Sequence, residues 1–98
     1  MLLSNRDIIH VMSGKHKKTL KAIFTDPTPA NVHWVDVEAL FKALGATVAE
    51  GEGSRVRVVL NDRVAVFHRP HPEKEAGRAQ LRSVRRFLVG AGISEEDP

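Results

Sequence analysis

Residues 51–72 read Gly-Glu-Gly-Ser-Arg-Val-Arg-Val-Val-Leu-Asn-Asp-Arg-Val-Ala-Val-Phe-His-Arg-Pro-His-Pro, and this stretch decides how the chain folds. It holds two runs rich in β-branched residues, 55–60 and 63–68, separated by Asn61 and Asp62. Two such runs around a two-residue turn sequence predict an antiparallel β-hairpin.

The position of the turn also predicts which side chains share a face of the hairpin. Pairing outward from the turn places Arg55 opposite His68, and side chains alternate between the two faces along each strand. The inner face then carries apolar residues: Val56, Val58, Leu60, Ala65 and Phe67. The outer face carries a mixed set: Arg55, Arg57, Val59, Val64, Val66 and His68. Because apolar packing does not require this outer face, we expect it to bind an anion.

Length and composition restrict the classes of protein to consider. A chain of 98 residues, 42% hydrophobic and 28% charged, is long enough for one domain with a modest core. The absence of cysteine excludes disulfides, thiolate chemistry and the common structural zinc sites, and it favours a cytoplasmic protein. No apolar run reaches the roughly 20 residues of a membrane span, so no membrane partner is expected. Residues 1–11 are too polar for a secretory signal.

Outside the hairpin, the sequence predicts three helices and one more strand. Apolar residues recur at helical intervals in residues 15–24, 34–44 and 77–89, and residues 46–50 form a short strand. A turn at residues 51–53 would pair Val48 with Val56. The sequence thus predicts an α+β domain whose three-stranded antiparallel sheet has helices on one face, with an extra helix at the N-terminal end. We expect residues 1–14 to be a flexible arm or a partner-contacting segment, 15–93 a single domain and 94–98 an acidic tail.

The positive charge is distributed unevenly. The net charge is +3, with a sequence pI near 9.7. Lysines crowd the first predicted helix (Lys15, Lys17, Lys18, Lys21), and arginines the last one (Arg78, Arg82, Arg85, Arg86), where they are expected to point outward. No acidic residue interrupts residues 78–92. This pattern favours a polyanionic or acidic partner, although the arginine stripe could also be an ordinary solvated face.

Several motifs, taken in order, resemble the HicA family of toxin–antitoxin ribonucleases. They comprise Val37-Glu38-Ala39-Leu40-Phe41-Lys42-Ala43-Leu44-Gly45, Gly53-Ser54, Arg69-Pro70-His71-Pro72, Leu81-Arg82-Ser83-Val84-Arg85 and Ala91-Gly92-Ile93. The resemblance covers roughly residues 34–93. It implies the double-stranded-RNA-binding fold, an mRNA-cleaving activity without a cofactor, and a HicB-like antitoxin as partner.

The chain departs from this family at one position. The resemblance implies a catalytic histidine within one or two residues of the Gly-Ser turn, but Arg55 and Val56 follow Ser54 here. The alternative is therefore a non-catalytic RNA- or protein-binding module on the same fold.

Two histidines are the candidate catalytic residues, because imidazole titrates near neutrality and serves as a general acid or base. His68 is a candidate from the hairpin register, and His71 from the resemblance; the alternative is that both are ordinary polar residues at a strand end. His68 and His71 could also suggest metal ligation, but no third ligand accompanies them, so no metal is expected. The candidate RNA- or phosphate-binding residues are Arg55, Arg57, Arg69, Arg78, Arg82, Arg85 and Arg86.

Overall fold

The computed structural model describes residues 12–95. Three helices and three strands follow one another in the order α1 (Gly14–Phe24), α2 (Trp34–Ala43), β1 (Thr47–Glu50), β2 (Arg55–Leu60), β3 (Arg63–His68) and α3 (Arg78–Gly90). The strands form one antiparallel sheet in the order β1-β2-β3. The predicted α+β class is confirmed.

The hairpin of β2 and β3 has the predicted register. Arg55 lies opposite His68, and Val56 lies opposite Phe67. Asn61 and Asp62 have positive φ angles of 50° and 66°, the combination that a two-residue turn between right-twisted strands requires. Asn61 also fixes the turn, because its amide Nδ2 donates to the carbonyl of Ala91 (2.9 Å).

The register of β1 differs from the prediction by two residues. The sequence predicts Val48 opposite Val56, whereas Val48 lies opposite Val58. The turn is centred on Gly53, whose φ of 64° suits glycine, and it is closed by the Gly51 N–H donating to the Arg55 carbonyl (2.9 Å). A two-residue shift keeps each side chain on its face of the sheet, so Val48 still packs against the core.

The core lies between the inner face of the sheet and the helices. Apolar residues at helical spacing on α2 and α3 pack against the inner residues of the hairpin, and all are buried: Trp34, Val37, Leu40, Phe41, Leu81, Val84, Leu88, Val56, Val58, Leu60 and Phe67. Phe41 stacks on Phe67 with ring centroids 5.7 Å apart. The helices therefore cover one face of the sheet, as predicted.

Helix α1 packs against α2 and α3 and adds Leu20 and Ile23 to the core. Its N-terminus is capped by the Ser13 hydroxyl, which accepts a hydrogen bond from the His16 N–H (3.3 Å). Met12 is buried in the same core. Met12, Ser13 and Gly14 are thus part of the folded structure, although the sequence assigns them to the N-terminal arm.

The other predictions for the two ends fall on residues 1–11 and 96–98, which lie outside the described residues. Between residues 12 and 95, no helix has the length and apolar character needed to cross a membrane.

Replacing Phe67 with alanine should lower the free energy of unfolding by about 3–5 kcal/mol, because it opens a cavity between the sheet and Phe41. The matched change Val66→Ala, on the outer face of the same strand, should cost less than about 1 kcal/mol. Urea denaturation measures both values. Equal losses would contradict the assignment of inner and outer faces.

Candidate functional site

The outer face of the hairpin, called the sheet face below, carries a cluster of basic and apolar side chains. Its exposed members are Arg55, Arg57, Val64, Val66 and His68, and Val59 is half-buried. Neither strand contains an acidic residue. The positive charge of the sheet face is therefore not neutralised within its own strands.

Arg55 and His68 form a direct pair on the sheet face. They lie opposite each other in the ladder, and Arg55 Nε donates to His68 Nε2 over 3.4 Å. In this arrangement the single lone pair of Nε2 is directed at the Arg55 guanidinium group. Arg57 lies two residues along the same strand, hence on the same side. The sheet thus brings one imidazole and two guanidinium groups to one exposed surface.

His71 lies beyond the end of β3 and is exposed. In the described part of the chain, no hydrogen bond joins it to His68 or Arg55. The end of β3 is instead held by Gln80 on α3, whose Nε2 donates to the His68 carbonyl (2.6 Å). The backbone of His68 is therefore anchored, while its side chain stays exposed.

Arg69 follows His68 and binds two carboxylates. Its Nε and Nη2 donate to Glu38 (2.7 and 3.0 Å), and its Nη1 and Nη2 donate to Glu50 (2.6 and 2.7 Å). Trp34 Nε1 also donates to Glu38. Two carboxylates offset the charge of Arg69 and hold it in a structural contact; its role as a phosphate ligand stays a prediction.

This ion cluster changes the titration of its members. Hydrogen bonds from Arg69 hold the pKa of Glu38 below its ordinary value of 4.5, although burial of the carboxyl opposes this shift. Hydrogen bonds from Arg69 likewise lower the pKa of Glu50, and the two carboxylates, Glu38 foremost, raise the pKa of Arg69. The cluster ties the end of β3 to α2 and β1. The Arg69 N–H completes the connection by donating to the Ser54 carbonyl (2.8 Å).

The arginines of α3 do not form the uniform outward stripe that the sequence predicts. Arg78 donates to the Thr28 carbonyl (3.1 Å). Arg85 is half-buried and donates to the carbonyls of Ile23 and Thr25 (2.7 and 2.8 Å) and to Thr28 Oγ1 (3.2 Å). These contacts hold α3 against the C-terminal end of α1. The outward prediction for Arg85 is therefore wrong, because its guanidinium group caps carbonyls of another helix.

Arg82 and Arg86 remain exposed on α3, and Arg86 Nη2 donates to Ser83 Oγ (3.0 Å). Since α3 packs on the inner side of the sheet, these arginines lie on the helical side of the molecule. The structure therefore does not bring all the predicted site residues together. Arg55, Arg57 and His68 share one surface, whereas the α3 arginines lie elsewhere.

Two surface grooves accompany these features. One of about 420 Å³ lies between α1 and residues 31–36, and one of about 370 Å³ lies beside Trp34, Pro70 and Pro72. Neither is lined by Arg55, Arg57 or His68. Within residues 12–95, no three His, Cys, Asp or Glu side chains converge closely enough to hold a metal ion.

Comparison with known proteins gives one match. The family model described as the HicA toxin of bacterial toxin–antitoxin systems matches residues 34–93, which span α2 to the segment after α3. No curated protein and no solved structure matches the chain.

Removing the Arg69 guanidinium should weaken the fold in a pH-dependent way. A carboxyl whose pKa is lowered on folding stabilises the folded state above its unfolded pKa, and this contribution is lost as the pH falls through the folded pKa. Arg69→Gln should therefore lower the melting temperature by several degrees at pH 7 and by much less at pH 3. Thermal melts followed by Trp34 fluorescence measure both.

The control is Arg82→Gln, which removes an exposed arginine that has no carboxylate partner among the described residues. It should change the melting temperature little at either pH. A loss for Arg69→Gln that is equal at pH 7 and pH 3 would contradict the ion cluster.

Proposed function

Since the chain belongs to the HicA toxin family, we propose that this toxin binds RNA on its sheet face, cleaves it there, and is neutralised by a HicB-like antitoxin. We propose the cytoplasm as its place of action. The observation that carries the proposal is the Arg55–His68 pair on an exposed strand surface without acids.

The sheet face offers the groups that RNA cleavage without a metal requires. A base takes the proton from a 2′-hydroxyl, whose oxygen attacks the adjacent phosphorus. The P–O bond to the 5′-oxygen breaks, and an acid gives that oxygen a proton, which leaves a 2′,3′-cyclic phosphate and a 5′-hydroxyl. We assign His68 as the base, because its imidazole is exposed on the sheet face beside Arg55 and Arg57; the Arg55 N–H would turn from Nε2 to the bound phosphate and free the lone pair for the proton. His71 is assigned as the acid.

Arg55 and Arg57 would stabilise the charge that develops on the phosphate oxygens. Guanidinium groups suit this task because they stay protonated and donate several hydrogen bonds in one plane. Arg55 Nε already contacts His68, so a phosphate bound by Arg55 would lie close to the imidazole.

The position of His68 also suggests how this chain could replace the family's histidine, which it lacks after Ser54. Resemblance to the family implies a histidine within one or two residues after Gly53-Ser54, where this chain has Arg55 and Val56. His68 is the cross-strand partner of position 55, so the adjacent strand supplies an imidazole at nearly the same place. Position 56 offers no such replacement, because Val56 is fully buried in the core.

The same sheet face is where we propose that the antitoxin binds. Val64 and Val66 remain 53% and 55% exposed there, beside Arg55 and Arg57. A partner with apolar side chains and carboxylates would bury the valines and pair with the arginines. Such a partner would exclude RNA from His68.

A non-catalytic binding module remains the second candidate function. The observation that favours it is Arg55 itself, which replaces the residue that the family resemblance assigns to catalysis. Such a module would bind RNA through the arginines and leave it intact.

His68→Ala should reduce cleavage of a labelled RNA by about 10²–10⁴-fold, because the attacking hydroxyl loses its base. His71→Ala should slow the same step by a similar factor. The matched control is His16→Ala on α1, which should cleave like the unchanged protein. Gel analysis of the products measures all three. Unchanged cleavage by the His68/His71 double variant would refute the assignment, and binding without cleavage by the unchanged protein would favour the binding module.

RNA affinity should depend on salt through Arg55 and Arg57. Each phosphate contact contributes about 0.7 to the slope of log affinity against log salt for a single strand. Arg55→Gln with Arg57→Gln should therefore flatten the slope by about 1.4. The control pair Lys42→Gln with Lys74→Gln removes the same charge from exposed positions off the sheet face and should change the slope little. Equal changes in the two pairs, measured by fluorescence anisotropy, would show that only the net charge matters.

A further inference from the structure

Helix α1 is an addition to the matched family region, which begins at residue 34. It is firmly packed: Leu20 and Ile23 are buried, and the helix contacts both α2 and α3. Arg85 on α3 caps its C-terminal end through the Ile23 carbonyl (2.7 Å). The helix backbone is therefore held in a fixed position on the domain, and its opposite side faces outward.

The helix dipole favours only Lys21 among the lysines of α1, because that residue lies in the last turn. The helix carries four lysines and no acidic residue. Lys17 and Lys21 lie four residues apart, and Lys18 and Lys21 three apart, so like charges face each other. Lys15 and Lys17 also lie in the first turn, where the helix dipole disfavours a cation. A solvated helix face ordinarily mixes both signs of charge.

Little within the described chain neutralises these lysines. Lys15 pairs with Asp36 (3.2 Å), but between residues 12 and 95 no carboxylate reaches Lys17, Lys18 or Lys21. All three are exposed. Among residues 12–95, no carboxylate therefore offsets their charge.

Helix α3, which contacts α1, carries further basic side chains. Arg78 and Arg85 donate to neutral oxygen atoms on residues 23–28, so their contacts hold them in place without cancelling their charge. Arg82 and Arg86 lie exposed on the same helix, which has no acidic residue. We call the combined region the helix face: Lys17, Lys18, Lys21, Arg78, Arg82, Arg85 and Arg86.

We propose that the helix face binds the phosphate backbone of a nucleic acid, as a second contact separate from the sheet face. The proposal rests on the proposed function in one respect, that RNA is the nucleic acid expected. Lysines without aromatic neighbours contact phosphates rather than bases, so the contact is independent of sequence. An anionic membrane fits less well, because Leu20 and Ile23 of α1 are buried and Phe24 packs against the core, so the exposed side of the helix offers lysines and no large apolar residue to insert.

The two contacts lie on opposite sides of the molecule. The helices cover the inner side of the sheet, and α1 packs on the helices, whereas His68 and Arg55 lie on the outer side. A single RNA molecule that contacts both the helix face and the sheet face must pass around an edge of the domain, whose extents are 38 × 28 × 21 Å. The helix face would therefore hold the RNA outside the cleavage site and raise its local concentration at the sheet face.

The test is fluorescence anisotropy with a labelled single-stranded RNA of about 20 nucleotides, longer than the site of an ordinary single-strand-binding domain. Lys17→Gln with Lys21→Gln should flatten the salt dependence of affinity by about 1.4, because two phosphate contacts are lost. The control is the pair Lys42→Gln with Lys74→Gln, which removes equal charge from exposed positions outside both faces. Circular dichroism checks that each variant stays folded.

Each outcome is decisive for the helix face. We call the variant Lys17→Gln with Lys21→Gln the α1 pair. A larger change in the salt slope of RNA affinity for the α1 pair than for the control pair supports the proposal, and equal changes overturn it. A DNA strand of the same sequence should show the same loss, since its phosphates are shared; a loss restricted to RNA overturns a backbone contact. Two further probes are vesicles of anionic lipid and polyglutamate. If Lys17→Gln with Lys21→Gln weakens binding to either of these and leaves RNA binding unchanged, the proposal is also overturned.

The same experiment separates this proposal from the proposed function. If the α1 pair changes RNA affinity while Arg55→Gln with Arg57→Gln does not, the helix face stands and the sheet-face site fails. If only the sheet-face pair has an effect, the proposed function stands and the second contact is refuted.

Discussion

Burial of one side of the β2–β3 hairpin is the constraint on which the rest of the structure depends. Val56 and Val58 are fully buried against the helices, and Phe67 nearly so. Because side chains alternate along a strand, burying these residues forces Arg55, Arg57 and His68 onto the opposite face. A register slip of one residue would place the charged set in the core. The apolar packing thus also determines the composition of the candidate site.

Features that depend on neighbouring residues in the sequence could be predicted. The Asn61-Asp62 turn sets the pairing of Arg55 with His68, and the helical spacing of Trp34 to Leu44 predicts the buried side of α2. The register of β1 was predicted wrongly by two residues. The segment from Gly51 to Ser54 holds two glycines, which allow the turn to form at either of two positions. Only the conformation of Gly53 decides between them.

Contacts between distant residues could not be predicted from the pattern. Arg69 binds Glu38 and Glu50, 31 and 19 residues away, and nothing local distinguishes it from an exposed arginine. Arg85 reaches carbonyls at the end of α1, some 60 residues earlier, for which the sequence carries no signal. In both cases the tertiary packing selected the partner. Arg69 and Arg85 therefore both hold the fold together, through carboxylates in one case and neutral carbonyls in the other.

The basic side chains differ in whether contacts within the fold hold them. The ion cluster around Arg69 and the carbonyl contacts of Arg85 fix the ends of β3 and α1, and they stabilise the elements that carry the free cations. The sheet face keeps Arg55 and Arg57 beside an imidazole, and the helix face gathers lysines and arginines without acids. HicA family membership covers the sheet and the two helices behind it, whereas α1 lies outside that region.

The most direct test of the account is an NMR titration of the isotopically labelled protein with a single-stranded RNA. The side-chain Nε–H signals of Arg55 and Arg57 and the imidazole signals of His68 should shift together as RNA is added. The Nε–H signal of Arg69, which is bound to Glu38 and Glu50, should change little. RNA binding that leaves the signals of Arg55, Arg57 and His68 in place would contradict the assignment of the sheet face as the RNA-binding surface.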